Sequence, residues 1–181
     1  MMEPQNTERI YLIGMMGAGK STVARKLAEK LRWVWADTDA CVERRSGMPV
    51  HEIFAKYGEE EFRKREIECL RQSMRSGNVI IACGGGAPCY SKAMDMMLSS
   101  GHVIYLEAQI DTLVSRLSAD PGKRPILGNE DKPLKDQLKM LMDQREPVYR
   151  RAHAVVTTDT LSELDVVDHI LKGYPLSPQE W

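Results

Sequence analysis

Near the start of the chain, residues 14–21 have the spacing of a phosphate-binding loop. They read Gly-Met-Met-Gly-Ala-Gly-Lys-Ser, which matches the pattern G-x-x-x-x-G-K-S. Glycines let the backbone wrap closely around an anion, so that successive N–H groups and the following helix N-terminus point at one phosphate. Lys20 would then neutralise the β and γ phosphates, and the Ser21 hydroxyl would bind Mg²⁺. The motif predicts nucleotide binding, the alternative being a glycine-rich turn ahead of an ordinary helix.

Two carboxylates, Asp37 and Asp39, follow the next apolar run. If extended backbone continued through Thr38, both side chains would point to the same side. A phosphotransferase could use one carboxylate near Mg²⁺ and the other on the attacking hydroxyl. The alternative is a helix over residues 40–45 capped by an aspartate, with Asp37 merely solvated. The position directly after a strand, beside a phosphate loop, favours the catalytic interpretation.

Three consecutive glycines, Gly84, Gly85 and Gly86, follow a third apolar run. Glycine is favoured where the backbone must approach another group closely, and here that group could be a ligand. A tight turn into a helix near Tyr90 is the alternative.

Several arginines lie where they could bind an anion. Glu59 and Glu66 are spaced four and three residues from Arg63, so this segment could also be a salt-bridged solvent face. Arg124 precedes a proline in an unpatterned stretch, and Arg145 lies just ahead of Pro147 and a tyrosine. The planar guanidinium pairs with both oxygens of a carboxylate or phosphate, although most surface arginines do neither.

The elements that must position these residues alternate short apolar runs with longer amphipathic stretches. This alternation predicts a parallel sheet with helices on both faces, in which ligands bind beyond the carboxyl ends of the strands. The predicted strands are Ile10–Ile13, Trp33–Ala36, Val79–Cys83, Val103–Leu106 and Ala154–Val156.

Composition limits the possible functions. The 181 residues fit one domain, and 43% hydrophobic and 28% charged residues are typical of a globular protein. A formal net charge of −1 argues against a nucleic-acid surface. No apolar stretch is long enough to span a bilayer and the first residues do not resemble a signal peptide, so we expect a cytoplasmic protein without membrane contact.

The cysteines and one loop complete the sequence-based expectations. The chain has four cysteines, Cys41, Cys69, Cys83 and Cys89. Their spacings match no zinc or redox motif, which favours small core or site-lining residues in a reducing compartment. The polar stretch over residues 120–132 has no clear periodicity, and a loop of this length is typically either disordered or a functional lid.

Six motifs in order resemble those of shikimate kinase, and the resemblance runs from about residue 9 to about residue 172. They are GMMGAGKST (14–22), ADTD (36–39), FRKRE (62–66), GGGAP (84–88), KRPIL (123–127) and REPVY (145–149). The resemblance implies a three-layer α/β/α P-loop kinase fold with a five-stranded parallel sheet. It also implies a lid over about residues 118–133 and a substrate-binding region over about residues 38–68.

The implied reaction transfers the γ-phosphoryl group of MgATP to the 3-hydroxyl of shikimate. By resemblance, Lys20, Asp39 and Arg124 are catalytic, Asp39 as the base, and Ser21 and Asp37 hold Mg²⁺. The residues that would contact ATP are Gly17, Ala18, Gly19, Lys20, Ser21, Thr22, Arg116 and Arg124, with Arg116 against the adenine. The residues that would contact shikimate are Asp39, Arg63, Glu66, Gly84, Gly85, Gly86 and Arg145, with the two arginines on its carboxylate and Glu66 orienting Arg63.

The chain departs from the family pattern at a few positions. Arg32 stands where a glycine often ends the first helix, which puts a left-handed cap in doubt. Trp35 replaces a common phenylalanine and could reshape the wall near the substrate, and the ending Ile126-Leu127 differs from the usual pair of leucines only as an isomer.

Two other functions compete with this interpretation. A gluconate kinase on the same scaffold would typically carry a glycine between the paired aspartates, where this chain has Thr38. An inactive kinase acting as a regulator or scaffold would usually have lost a catalytic group, and none is missing. We therefore expect an enzyme whose partners are ATP, ADP and shikimate, and a monomer.

Overall fold

The computed structural model describes residues 8–119 and 132–173, which form a parallel sheet flanked by helices. The strands are β1 (Arg9–Ile13), β2 (Val34–Asp37), β3 (Val79–Ala82), β4 (His102–Glu107) and β5 (Ala154–Thr157). The helices are α1 (Lys20–Leu31), α2 (Thr38–Ser46), α3 (Val50–Ser73), α4 (Ala93–Ser100), α5 (Ile110–Ala119), α6 (Leu134–Tyr149) and α7 (Glu163–Gly173), with a short 3₁₀ turn at Ala87–Cys89.

All five predicted strands are present, and their ends differ from the prediction by one residue or less. The order across the sheet is β2-β3-β1-β4-β5, and every neighbouring pair is parallel. The central strand β1 is almost wholly buried, because its apolar run meets helices on both faces of the sheet. The predicted α/β class and P-loop kinase fold are confirmed.

The first helix ends in a left-handed cap even though no glycine is present. Arg32 has φ 55° and ψ 35°, and the cap backbone N–H donates to the carbonyl of Ala28. The doubt raised by the missing glycine was therefore wrong. A non-glycine residue in this conformation costs about 1–2 kcal/mol, which the burial of Leu31 and Trp33 on either side offsets.

The strand order places the phosphate loop at the point where successive connections run to opposite sides of the central strand β1. The loop leaves β1 between β3 and β4, and crevices of this kind are the usual ligand sites of such sheets. At Gly14, φ is 137°, and a Cβ atom would overlap the carbonyl oxygen of Leu106 on β4. Only glycine fits at this strand end.

A second, smaller core joins α2 to α3. It contains Cys41, Val42, Ile53, Phe62 and Cys69. Cys41 and Cys69 are paired in a disulfide, with Cα atoms 6.0 Å apart, whereas the sequence favoured separate small core residues. The two cysteines are 28 residues apart, so no local sequence motif indicates their pairing. The pairing depends on how α2 packs against α3.

Among residues 8–119 and 132–173, no helix is both long and apolar enough to cross a membrane.

Candidate active site

A cleft of about 1430 Å³ opens at the carboxyl ends of β1, β2 and β3. It brings together nearly all of the predicted site residues that the structure describes. Those lining it are Gly17, Ala18, Gly19, Lys20, Ser21, Thr22, Asp37, Asp39, Arg63, Gly84, Gly85, Gly86, Arg116 and Arg145. Glu66 lies buried beneath the cleft, bonded to Arg63. Arg124, and with it most of the predicted lid, lies outside the described residues.

The backbone of the phosphate loop has the curvature that an anion-binding loop requires, with positive φ angles at Gly14, Gly17 and Gly19. Gly19 caps α1 with φ 90°, and the helix begins at Lys20, so its first N–H groups face the cleft. The ammonium of Lys20 donates to the carbonyls of Gly14 and Met15, both at 2.9 Å. Burial lowers the pKa of Lys20, although Asp39 and Asp37 oppose this. A bound phosphate would supply the counter-charge that favours the ammonium form.

Ser21 and Asp37 form a pair of oxygen donors beside Lys20. The Ser21 hydroxyl donates to Asp37 Oδ2 at 2.5 Å, while Asp37 Oδ1 accepts from the backbone N–H of Ala40 at 3.1 Å. Asp37 therefore caps α2 and faces the phosphate loop, so an aspartate does cap this helix, but the alternative in which Asp37 is merely solvated was wrong. In the described ranges no group of three or more His, Cys, Asp or Glu could hold a metal. Two hard oxygen ligands do fit Mg²⁺, which keeps several waters and usually binds substrate phosphates as well.

Asp39 reaches the cleft by a different route from the one predicted. Extended backbone ends at Asp37 and helix α2 starts at Thr38, so the carboxylate projects from the first helical turn. It faces Gly84, where an added Cβ atom would lie 2.5 Å from Asp39 Oδ1 and would overlap Glu66 Oε1. The two carboxyl groups thus border one small space that only glycine leaves open.

The surroundings of Asp39 favour its protonated form. Burial first, then the negative charges of Glu66 and Asp37, raise its pKa to about 7, against the opposing effect of Lys20 and Arg63. A carboxyl group with a pKa near neutrality is suited to exchange a proton with a substrate hydroxyl.

Thr38 is a functional position that the sequence analysis missed. Its buried hydroxyl accepts the backbone N–H of Gly84 at 2.8 Å. This bond ties the end of β2 to the glycine triplet and fixes Asp39 against it. The only signal in the sequence was its place between the two aspartates.

Arg63 and Glu66 form a buried ion pair rather than part of a solvent face. Arg63 Nη1 donates to Glu66 Oε2 at 2.6 Å, and the Glu66 side chain is 0% exposed. Although burial opposes it, the charge of Glu66 raises the pKa of Arg63. The guanidinium also lies 5.1 Å from the ring centre of Phe62 and against Gly86, where a Cβ atom would overlap it. Arg63 does pair with Glu66 at i,i+3 and with Glu59 at i,i+4, as the sequence spacing indicated. The alternative of a salt-bridged solvent face was wrong for the buried Arg63–Glu66 pair.

Arg145 lies on the opposite side of the glycine triplet. Its Nη1 atom is buried without a hydrogen-bond partner in the described part of the chain, and a Cβ atom on Gly85 would be 3.2 Å from it. One helical turn later, the buried Tyr149 hydroxyl donates to the carbonyl of Gly85 at 2.5 Å. Tyr149 thereby fixes α6, and with it Arg145, against the triplet. Its spacing of four residues from Arg145 was visible in the sequence but was given no role there.

Arg116 connects the phosphate loop to the end of β5. Its guanidinium donates to the Thr158 carbonyl at 2.6 Å, to the Thr158 hydroxyl at 3.1 Å and to the carbonyl of Gly17 at 3.3 Å. These three acceptors hold the guanidinium at the edge of the cleft.

The expectation for Trp35 was wrong. Its side chain is 43% exposed on the edge strand β2, and it does not line the cleft. Trp35 lies two residues before the end of β2, whereas the cleft opens at the carboxyl ends of the strands. This substitution does not reshape the substrate wall.

Comparisons with known proteins agree with this geometry. The family model for shikimate kinase matches residues 16–174. A shikimate kinase of Francisella tularensis subsp. novicida is 40% identical over 166 residues, which covers 91% of this chain and 93% of the relative. The solved shikimate kinase of Acinetobacter baumannii in complex with shikimate has a TM-score of 0.85 at 34% identity and covers 93% of both chains.

The competing sugar-acid kinase shares the scaffold only. A gluconokinase from Sinorhizobium meliloti 1021 has a TM-score of 0.62 and is 17% identical, covering 94% of this chain and 93% of its own, a likeness that concerns the fold alone. The shikimate kinases cover a similar share of this chain but are 34–40% identical to it, and the family match over residues 16–174 includes the segments that carry the aspartates and both arginines. On these grounds the chain belongs to the shikimate kinase family of ATP-dependent kinases.

Proposed function

We propose that the protein transfers the γ-phosphoryl group of ATP to the 3-hydroxyl of shikimate, giving 3-phosphoshikimate and ADP. The observation that carries this proposal is the buried donor Arg145 Nη1, which has no hydrogen-bond partner among the described residues. Unpaired buried polar atoms are costly and usually await a partner. A small polyol with one carboxylate offers an anion for Arg145.

In this proposal the two ends of the cleft bind the two substrates. ATP lies with its phosphates on the loop of residues 14–21 and its base beside Arg116. Shikimate lies on Gly84–Gly86, with its carboxylate between Arg63 and Arg145. The glycines suit this role because a Cβ atom at Gly84 or Gly86 would overlap a site side chain.

The residues of this chain then act mainly by positioning and by charge. Asp39 accepts the proton of the attacking hydroxyl while that oxygen forms its bond to the γ-phosphorus and the bond to the β–γ bridging oxygen breaks. Lys20 stabilises the negative charge that moves to the phosphate oxygens. Mg²⁺, held by Ser21 and Asp37, would neutralise phosphate charge and orient the nucleotide. By resemblance, Arg124 adds a further positive charge.

A coupled assay of ADP formation tests the proposal directly. The purified protein is given MgATP with shikimate, gluconate or a nucleoside monophosphate, and turnover is compared with hydrolysis in water alone. We expect turnover with shikimate far above the other acceptors. The proposed function is wrong if shikimate gives no rate above the water background.

The pH dependence of this reaction should reflect Asp39. Because its pKa is about 7 in the free protein, the carboxylate that can accept a proton becomes scarcer as the pH falls. The kcat/KM for shikimate, which reports groups of the free enzyme, should fall about tenfold per unit below pH 7 and level off above it. Rates from pH 5.5 to 8.5 check this, with ADP binding measured at each pH as a control. A flat profile between pH 6 and 8 would contradict it.

Removing the hydroxyl of Tyr149 should weaken shikimate binding selectively. Tyr149→Phe leaves the Gly85 carbonyl without its bond, and we expect roughly a three- to tenfold rise in the KM for shikimate. The matched control is Tyr105→Phe. Its ring contacts Tyr149 at 5.1 Å between centroids, but among the described residues its hydroxyl reaches only the sulfur of Met142, at 3.7 Å. Equal effects of the two variants would argue for packing rather than positioning.

A further inference from the structure

Arg63 pairs with a second carboxylate besides Glu66. Its Nε and Nη2 atoms donate to Glu59 Oε1 at 3.3 and 3.1 Å. These two nitrogens form one of the guanidinium edges that can pair with both oxygens of a carboxylate. Glu59 therefore occupies an edge that an incoming carboxylate would use.

The two carboxylates on Arg63 differ sharply in exposure. The side chain of Glu66 is 0% exposed, whereas that of Glu59 is 63% exposed. Breaking a buried ion pair is strongly unfavourable because it leaves an uncompensated charge. An exposed pair contributes little, so a competing anion would displace Glu59 and leave Glu66 in place.

The backbone at Glu59 suits such an exchange. Gly58 interrupts α3 with φ 78° and ψ 171°, and in residues 8–119 and 132–173 no atom lies within 4 Å of the position of an added Cβ atom. Glu59 is the first residue after this break, and it lines the cleft. Its side chain can leave Arg63 for solvent without breaking the helical bonds that follow.

We propose that Glu59 is a counter-ion that pairs with Arg63 in the free enzyme and is exchanged for the carboxylate of the substrate. This inference rests on the proposed role of Arg63 in shikimate binding. The exchange replaces one carboxylate by another, so Arg63 stays paired at every stage. Glu59 thus competes with the carboxylate of the acceptor for the same edge of Arg63.

Glu59→Gln tests the proposal, because the amide keeps the size of the side chain and removes its charge. With the competitor weakened, the KM for shikimate should fall about two- to fivefold, and the effect should appear in KM and not in kcat or in the KM for ATP. Isothermal titration of shikimate into each protein checks the same change at equilibrium. Glu59→Ala should act in the same direction.

Glu61→Gln is the matched control. Glu61 lies on the same helix and pairs with Arg65 at 3.0 Å with the same i,i+4 spacing, but it does not line the cleft. A higher or unchanged KM for shikimate in Glu59→Gln would overturn the inference, as would an equal decrease in both variants. If the wild-type protein does not phosphorylate shikimate at all, the proposed function fails as well. If it does, and Glu59→Gln does not tighten binding, only the role of Glu59 fails.

Discussion

Asp39→Asn is expected to lower kcat with shikimate by about 100-fold or more while nucleotide still binds. The amide keeps the shape of the side chain but cannot accept the hydroxyl proton. Because the carboxylate of Asp39 lies beside Glu66 and Asp37, its replacement also removes a repulsive negative charge from the cleft. The variant should therefore fold at least as well as the wild type. Steady-state kinetics and titration with ADP measure the two properties separately.

A surface aspartate provides the control for this experiment. Asp95 on α4 pairs with Arg151 at 2.5 Å, and both side chains are about half exposed. Asp95→Asn should leave kcat and both KM values within about twofold, as expected for an exposed pair. An Asp39→Asn protein with the wild-type rate would show that the base lies elsewhere, and the assignment of Asp39 would have to be abandoned.

Arg145→Ala is expected to weaken shikimate by roughly 2 kcal/mol, or about 30-fold, with little change in the affinity for ATP. The reason is that Arg145 Nη1 is buried without a partner in the described residues, so its charge is available to a ligand. The KM for shikimate and for ATP, measured at saturation of the other substrate, gives the comparison.

Arg63→Ala should weaken shikimate to a similar degree but should also destabilise the protein. It leaves the buried carboxylate of Glu66 without its partner, and breaking a buried pair typically costs about 3–5 kcal/mol. The apparent Tm should therefore fall clearly in Arg63→Ala and little in Arg145→Ala. Arg151→Ala, which removes a surface arginine paired with Asp95, controls for loss of charge. Equal weakening of ATP and shikimate would mean that these arginines serve the phosphates or the structure instead.

The parts of the site that depend on local sequence were predictable. The phosphate loop and its flanking strand and helix follow from a contiguous pattern, and so does the position of the glycine triplet after β3. The strand ends were also close, because buried parallel strands appear as continuous apolar runs. Even the ion pairs of Arg63 follow from helical spacing.

What the sequence could not give depends on contacts between distant segments. Spacing alone did not separate the buried Arg63–Glu66 pair from the exposed Glu59, because exposure depends on how α3 packs beside the glycine triplet. The bond from Thr38 to Gly84 joins residues 46 positions apart, and the disulfide of Cys41 and Cys69 joins two helices. The cap at Arg32 shows the opposite case, in which tertiary packing overrides a local preference for glycine.

The contact between the two glycine-rich loops limits how this scaffold can change its acceptor. A Cβ atom on Gly85 would be 3.4 Å from the Gly14 carbonyl and 3.7 Å from the Met16 nitrogen, so the glycine triplet, which we propose binds the acceptor, packs directly on the phosphate loop. Mutations in the glycine triplet would then disturb ATP along with the acceptor. Helices α2 and α3, which enclose a small core of their own, offer positions that can vary while the nucleotide loop is retained. Directed evolution toward a new acceptor should therefore accumulate its changes in these two helices and leave the glycines intact.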